Sequence, residues 1–181
     1  IMTPGVEPRY ELYLTDLDTA QSVWQTLNVH AAPVGEPVWR LLDIQAGIPN
    51  IFAATAELFV PQMTNLQLIN GVNFRKGCYP GQEIVARMQY LGTLKRRMYL
   101  GHINSDLPAS PGQELFSASD DKQAAGRLVD AQAHPDGGQQ ALAVLQIKAA
   151  EAGTLHLDGP DGPTFTLQAL PYPFEAADDG A

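Results

Sequence analysis

The chain has 181 residues, of which 45% are hydrophobic and 17% are charged. This composition predicts one ordinary folded domain or two small ones, and it excludes global disorder and a collagen-like protein. No hydrophobic run approaches the roughly 18 residues that a membrane-spanning helix needs, so we expect no membrane association. A single cysteine, Cys78, excludes an internal disulfide, and the four scattered histidines argue against a metal site. No signal-peptide pattern follows Ile1, and we expect a reducing, cytoplasmic location.

The charge of the chain is unevenly distributed. The net charge is −9, which argues against direct binding of nucleic acid through the overall field of the protein. The segment 75–97 nevertheless holds six basic residues and only one acidic residue, Glu83. This basic segment is either an anion-binding site or a solvated basic face, and charge alone leaves both readings open.

The first 35 residues predict the end of an α+β unit. Residues 10–14 alternate like a β-strand, and Thr15 and Asp16 then supply side-chain oxygens that can cap a helix. The hydrophobic residues of that helix recur on one face: Ala20, Val23, Trp24 and Leu27. We therefore expect residues 1–35 to be the end of an α+β unit whose other strands are absent.

Residues 36–93 predict a helical connection. Pro37 suits the first turn of a second helix, and Gly47 and Pro49 end it. Arg40 lies on this helix between hydrophobic positions. Residues 49–74 predict an irregular connection with one short helical turn near residues 65–69.

From residue 94 the pattern becomes that of short β-strands. The strand-like runs are separated by turn-forming clusters and show no helical period, which predicts an antiparallel sandwich or small barrel over residues 94–170. These runs are LKRRMYLGHI, QELFS, AAGRLVDAQ, QQALAVLQIK, GTLHLDG and TFTLQAL. The acidic tail, residues 171–181, is expected to fray.

A third helix is predicted directly after the cysteine. Pro80 suits its first turn, Tyr79 is then the N-cap residue, and Gly92 ends the helix. Because a tyrosine side chain does not satisfy the first amides of the helix, these amides are expected to attract an anion. The residues expected to face the core are Ile84, Val85, Met88 and Leu91.

Cys78 is a candidate reactive thiol. Lys76 and the positive end of the predicted helix are expected to lower the pKa of this thiol, and Gly77 and Gly81 leave room for a ligand near the main chain. Two further side chains can hydrogen-bond a polar heterocycle, Gln82 and Glu83. The alternative is an inert buried cysteine, since no histidine lies nearby in the sequence to complete a Cys–His pair.

The motif around this cysteine resembles that of a known family. K-G-C-Y-x-G-Q-E resembles the signature of the YgfZ-type folate-binding proteins, which are relatives of the glycine-cleavage T-protein, an aminomethyltransferase. All seven specified positions are present: Lys76, Gly77, Cys78, Tyr79, Gly81, Gln82 and Glu83. Further segments resemble that family, and together the resemblance covers about residues 9–170. These segments are 40–49, 59–66, 83–87 and 92–96.

The resemblance implies a fold and a role. Such proteins have two related α+β units and a C-terminal antiparallel β-barrel, with tetrahydrofolate or a derivative in a central channel. The resemblance therefore implies that residues 1–35 are the end of a ferredoxin-like α+β unit of the kind that binds folate. They support the assembly or repair of iron–sulfur enzymes, including enzymes that methylthiolate tRNA, and the motif cysteine is functionally important. The resemblance implies that this chain is the C-terminal portion, so we expect an N-terminal domain of the same protein before Ile1.

The resemblance also directs attention to the basic residues. The carboxylate tail of a folate requires a cation, and the candidates are Arg40, Arg87 and the segment 95–97. For Arg40 the alternative is a helix-surface residue whose stem covers hydrophobic neighbours.

Three functions remain open at this stage. The first is a folate-dependent accessory protein for iron–sulfur enzymes, with Cys78 as its functional thiol. The second is a folate-dependent aminomethyltransferase, for which likeness of fold is not sufficient. The third is an RNA-binding module built on the basic segment, although its aromatic residues do not interleave with the cations as stacking platforms would. The iron–sulfur client, the redox partner of Cys78 and the oligomeric state stay open.

Overall fold

The computed structural model describes residues 1–3, 5, 7–74, 76–77, 81–118 and 120–174, with the main chain alone at 120–122. The helices are α1 (Leu17–Asn28), α2 (Glu36–Gln45), a 3₁₀ helix (Pro61–Thr64), α3 (Gln82–Leu91) and α4 (Ile147–Ala152). The strands are β1 (Met2–Thr3), β2 (Arg9–Tyr10), β3 (Arg96–Ile103), β4 (Glu114–Ser117), β5 (Asp120–Ala133), β6 (Gln139–Gln146), β7 (Leu155–Leu157) and β8 (Thr164–Gln168). Across the described residues, every helix is too short or too polar to cross a membrane.

Six strands form a closed antiparallel barrel in the order β3-β6-β5-β4-β7-β8, and β8 pairs again with β3. The longest ladder joins β3 to β6, from the pair Arg96 and Gln146 to the pair Ile103 and Gln139. The predicted α+β class with a following barrel is therefore confirmed, and each of the six strand-like runs contains a strand. The fourth run, QQALAVLQIK, was extended too far, because β6 ends at Gln146 and Ile147 begins α4.

Alternating side chains of the barrel strands build two hydrophobic layers. One layer fills the barrel interior and includes Leu128, Leu145 and Phe165. The other packs the outer face of β3, β5 and β6 against α2 and the 3₁₀ segment, with Ile44 and Met98 fully buried. Because these two layers lie on opposite faces of β6, nearly all of that strand is buried.

The N-terminal segment agrees only partly with the prediction. Asp16 caps α1 as expected, and its carboxylate accepts a hydrogen bond from the amide of Thr19 at 2.7 Å. The strand predicted at residues 10–14 is wrong beyond Tyr10, since only β2 pairs, with β1. Glu11 still exchanges main-chain hydrogen bonds with Ile1, but no described strand pairs with residues 12–14, and an extended segment without a partner does not form a sheet. The hydrophobic face of α1 is uncovered, and Trp24 is 61% exposed.

Helix α2 has the predicted start and end. Pro37 lies in its first turn, and Gly47 follows it with a φ of 67°. Hydrogen-bonded turns occupy residues 65–70, where a helical turn was predicted near 65–69, and the amide of Leu68 donates a hydrogen bond to the carbonyl oxygen of Asn65 at 2.9 Å. A 3₁₀ helix, Pro61–Thr64, comes directly before them, because Pro61 supplies the fixed φ that opens a helical turn.

Helix α3 starts later than predicted. Its N-cap is Gly81, in the left-handed region with a φ of 84°, so the expectation that Tyr79 caps the helix is wrong. Glycine takes this conformation without the steric cost that another residue bears. The helix ends at Gly92 as predicted. The prediction of its core-facing residues is also partly wrong. Val85 is buried as expected, whereas Ile84 and Leu91 are exposed.

The start of the acidic tail does not fray. The Tyr172 hydroxyl donates a hydrogen bond to the carbonyl oxygen of Gly47 at 2.8 Å. The ring of Phe174 meets that of Tyr99 edge-on, with centroids 5.3 Å apart. The remainder of the predicted tail, residues 175–181, lies outside the described residues.

Candidate functional site

The predicted site lies at the start of α3, and the structure describes it in part. Cys78 and Tyr79 lie outside the described residues, as do Arg75 and Pro80. The described motif residues are Lys76, Gly77, Gly81, Gln82 and Glu83. A Cβ atom added at Gly77 or Gly81 would meet no described atom within 4 Å. No described atom therefore crowds the main chain at either glycine.

A buried amide connects α3 to the preceding 3₁₀ helix. Gln62 is almost fully buried, and its Nε2 donates a hydrogen bond to the carbonyl oxygen of Val85 at 2.6 Å. Val85 is the buried residue of α3. The position of α3, and of the motif that leads into it, therefore depends on Gln62.

A second buried amide connects the same segment to the barrel. Asn65 is fully buried with a φ of 60°, and its Nδ2 donates a hydrogen bond to the carbonyl oxygen of Met98 in β3 at 2.9 Å. Asparagine tolerates this left-handed conformation better than most residues. Gln62 and Asn65 together fasten α3 to the barrel.

Tyr172 completes this attachment from the C-terminal side. The Asn65 Nδ2 lies 3.4 Å from the Tyr172 hydroxyl, which itself binds Gly47 after α2. Burial raises the pKa of Tyr172 above its ordinary value, and the hydrogen bond from Asn65 offsets part of that effect. The neutral hydroxyl is thus the form that the fold favours.

Arg40, a predicted folate-binding residue, lies on α2 and faces the barrel. Its Nη2 is 2.5 Å from a carboxylate oxygen of Asp130 in β5, and its guanidinium lies 4.8 Å from the ring centre of Phe52. Its Nε also lies 3.4 Å from the exposed carboxylate of Glu36. The side chain of Asp130 is 0% exposed and that of Arg40 is 22% exposed. Arg40 thus neutralises a buried carboxylate, which the sequence did not predict.

Arg87, the other predicted folate-binding arginine, lies on α3 and is exposed. Within the described residues it makes no ion pair, and the structure does not bring it into contact with Arg40. The two arginines are held by different elements, since Arg40 packs on β5 and Arg87 follows the motif along α3.

The basic segment 95–97 divides between two surfaces. Lys95 and Arg96 are exposed, whereas Arg97 is half-buried with its guanidinium 4.4 Å from the ring centre of Phe174. Successive residues of a strand point to opposite faces, so Arg96 and Arg97 separate. The three residues are therefore not one cluster.

Sequence reasoning missed two further acidic partners. Arg9, which is buried, lies 2.8 Å from a carboxylate oxygen of Asp43 in α2 and stacks 4.8 Å from the ring centre of Trp39. Asp130 is the buried partner of Arg40. Asp130 could have been noticed in the sequence as a lone carboxylate within a hydrophobic strand. A carboxylate in such a place is rarely buried without a cation, so its position indicates a basic partner. Among the side chains that the structure describes, no group of three or more His, Cys, Asp or Glu could hold a metal ion.

The fold and the site define a mixed α+β protein in which a glycine-flanked cysteine motif leads into a helix fastened to a six-stranded barrel. No family model matches the chain. The chain is 34% identical over 174 residues to the tRNA-modifying protein YgfZ of Edwardsiella ictaluri, which is 92% of this chain and 50% of that protein.

Two Yersinia proteins show the same relationship. The chain is 36% identical over 162 residues to the tRNA-modifying protein YgfZ of Yersinia pestis (strain Pestoides F), covering 89% of this chain and 49% of that protein. The protein of the same name from Yersinia pseudotuberculosis serotype O:1b gives the same values. The chain is therefore homologous to YgfZ, as its motif predicted, and it spans about half the length of the curated relatives it matches.

Proposed function

We propose that this chain is part of a YgfZ-type accessory protein that binds tetrahydrofolate or a derivative and supports iron–sulfur enzymes, and thereby tRNA modification. The observation that carries the proposal is the 34% and 36% identity to proteins named tRNA-modifying protein YgfZ over about nine-tenths of the chain. The complete motif at residues 76–83 supports it further. Its single cysteine suits a reducing compartment, and we infer a cytoplasmic location.

Cys78 is the functional thiol in this proposal. The open main chain at Gly77 and Gly81 supports close approach of a ligand, since neither glycine has a described atom near its Cβ position. Gln82 and Glu83 follow directly in the first turn of α3 and supply hydrogen-bonding groups for a pterin-like heterocycle. The buried hydrogen bonds of Gln62 and Asn65 hold this turn against the barrel.

Of the two arginines predicted to bind the folate, Arg87 suits this role better than Arg40. Arg87 is exposed, lies five residues after Gln82 on the same helix, and has no ion-pair partner among the described residues. Arg40 already neutralises Asp130, so a folate carboxylate there would compete with a buried charge. We therefore propose Arg87 as the principal arginine for the ligand and Arg40 as a secondary one.

The uncovered face of α1 supports a role for a further part of a longer protein. Trp24 and Leu27 are both at least half exposed, and they line an apolar groove of about 180 Å³ with Ala31 and Pro33. The chain spans about half of its relatives. We propose that the half of a YgfZ-type protein that this chain does not match covers the face, as an N-terminal domain would.

The test is the rate at which iodoacetamide alkylates Cys78, followed by intact mass over a range of pH with and without tetrahydrofolate. Because the chain has one cysteine, the modified mass reports that thiol alone. The proposal predicts an apparent pKa below the ordinary cysteine value of about 8.5 and slower alkylation when tetrahydrofolate is bound. Saturating tetrahydrofolate that leaves the rate unchanged would contradict it.

A matched pair of variants separates ligand binding from general charge. Arg87→Gln is expected to raise the tetrahydrofolate concentration needed for protection. Arg127→Gln makes the same change of charge on β5, where the arginine pairs with Glu114, and is expected to leave that concentration unchanged. Equal effects of both variants would show that overall charge, and not a folate site at Arg87, controls protection.

A further inference from the structure

A second candidate site lies at the edge of the barrel where β3 begins and β6 ends. Arg96 pairs with Gln146 in the ladder, and the amide of Ile147 donates a hydrogen bond to the carbonyl oxygen of Lys95 at 3.1 Å. These contacts fix the start of β3 beside the start of α4. Lys148, the second residue of α4, thereby comes to the same cleft as Lys95 and Arg96.

The cleft has a volume of about 590 Å³, which lies within the range of small-molecule sites and exceeds what a single inorganic ion fills. Its lining consists of the connection after α3 and the two barrel ends: Thr93, Leu94, Lys95, Arg96, Gln146, Ile147 and Lys148. Leu94 and Ile147 are half-buried and give the cleft an apolar portion. The site therefore suits a ligand with both an anionic and an apolar part.

Among the described residues, no carboxylate pairs with the three cations of the cleft. None of them forms an ion pair with a described residue, and no carboxylate lines the cleft. The nearby Glu151 of α4 instead acts on Tyr99, where burial raises the pKa of the tyrosine, Arg97 partly lowers it and Glu151 raises it further. Three cations without an ion-pair partner among the described residues repel one another, and an anion bound between them would offset this repulsion.

We infer that Lys95, Arg96 and Lys148 form a binding site for a compact dianion attached to an apolar group. If the proposed folate binding holds, on which this identification of the ligand rests, the dianion is the glutamate end of the folate, with its two carboxylates. A phosphoryl group has the same charge and hydrogen-bonding needs and is the other source of such a dianion.

The position of the cleft agrees with an elongated ligand. The motif runs into the first turn of α3, and the cleft begins at Thr93, two residues after the helix ends at Leu91. A ten-residue helix rises about 15 Å, so a ligand that reaches both places must be extended. A folate, with its heterocycle and glutamate at opposite ends, has this shape.

The test compares ligands with and without the dianion in calorimetric titrations of the whole chain. The probes are tetrahydrofolate, tetrahydropteroate, which lacks the glutamate, and pyrophosphate. Tetrahydrofolate is expected to bind more tightly than tetrahydropteroate. Lys148→Gln is expected to weaken tetrahydrofolate binding about two- to fivefold, as the loss of one solvent-exposed charge contact does, without changing tetrahydropteroate binding. Lys148→Arg keeps the charge and is expected to retain the affinity.

The outcomes distinguish this inference from the proposed function. Equal affinities for the two folates, unaffected by Lys148→Gln, would overturn the glutamate site and leave folate binding intact. If neither folate binds, the proposed folate function fails. In that case pyrophosphate binding that Lys148→Gln weakens supports the dianion site with a phosphoryl ligand, and absence of pyrophosphate binding overturns the site as well.

Discussion

The ion pair between Arg40 and Asp130 gives the sharpest prediction about the stability of this fold. The Asp130 side chain is 0% exposed. One of its carboxylate oxygens accepts hydrogen bonds from the guanidinium of Arg40 and from the amide of Ala131, the latter at 2.8 Å. Its other oxygen is buried without a hydrogen-bond partner among the described residues. Replacing Arg40 by methionine would leave this carboxylate buried without its cation.

The expected cost of Arg40→Met is large. Removing one member of a buried ion pair lowers the free energy of unfolding by about 3–5 kcal/mol. Because Arg40 is partly exposed, we expect a loss at the lower end of this range, about 3 kcal/mol. For a chain of this length that loss corresponds to a fall of about 6–12 °C in Tm. Urea unfolding followed by circular dichroism measures the free energy directly, and Glu36→Gln provides the control. Glu36 is an exposed partner of the same arginine, and its loss should cost at most about 0.5 kcal/mol.

The double variant tests the physical reason. Arg40→Met combined with Asp130→Leu removes both charges and replaces them by hydrophobic groups, which is often close to neutral for buried pairs. The double variant should therefore be more stable than Arg40→Met alone. The reasoning is refuted if Arg40→Met costs less than about 1 kcal/mol, or if the double variant is less stable than the single one.

Four further predictions concern the buried amide, the barrel, the motif and the buried tyrosine. Asn65→Ala leaves a buried carbonyl unsatisfied and places alanine at positive φ, so it should cost about 1–3 kcal/mol in urea unfolding, and a neutral result would show that this amide does not anchor the connection. Gly126→Ala should destabilise the chain by at least about 1–3 kcal/mol because the new methyl would collide with the main-chain oxygen of Val144. Gly77→Ala meets no described atom and should leave the melting temperature unchanged while changing Cys78 alkylation; a lowered melting temperature would contradict this. Burial raises the pKa of Tyr172, so the unfolded chain loses the hydroxyl proton at a lower pH than the folded chain does. The free energy of unfolding should therefore be unaffected by this group below about pH 10 and fall above it, and it should fall less in Tyr172→Phe. Urea midpoints at pH 9 and 11 for the two proteins measure this difference.

The barrel could be predicted from the sequence because its signals are local. Short hydrophobic runs separated by turn clusters carry the period of a strand, and all six runs contain strands. Helix α2 could also be predicted from the sequence, since Pro37 and Gly47 mark its ends. Closure of the strands into a barrel depends on the pairing of β8 with β3, which joins distant parts of the chain.

The errors occurred where tertiary contacts decide the local structure. The start of α3 depends on the positive φ of Gly81. The sequence instead predicted a start at Pro80, because proline is common in the first turn of a helix. Residues 11–14 have the period of a strand, but the strand ends at Tyr10 and residues 12–14 have no described strand beside them. Tyr172 and Phe174 look like part of a polar tail until the barrel surface that receives them is known.

The candidate site was recognisable from the sequence, but the roles of its surroundings were not. The motif and the homology of the chain to YgfZ were predicted from residues 76–83 and their neighbours. The pairing of Arg40 with Asp130 joins residues 90 positions apart, and no periodic pattern signals it. Lys148 reaches the cleft only because the β3–β6 register brings it beside Lys95.

The most direct test of the central claim is a calorimetric titration of the chain with tetrahydrofolate, before and after complete alkylation of Cys78. If the chain is part of a folate-binding protein whose ligand lies at the motif, binding is saturable with one site, and alkylation weakens or abolishes it. No saturable binding by the unmodified chain, or binding of equal strength after alkylation, would contradict a folate site at Cys78.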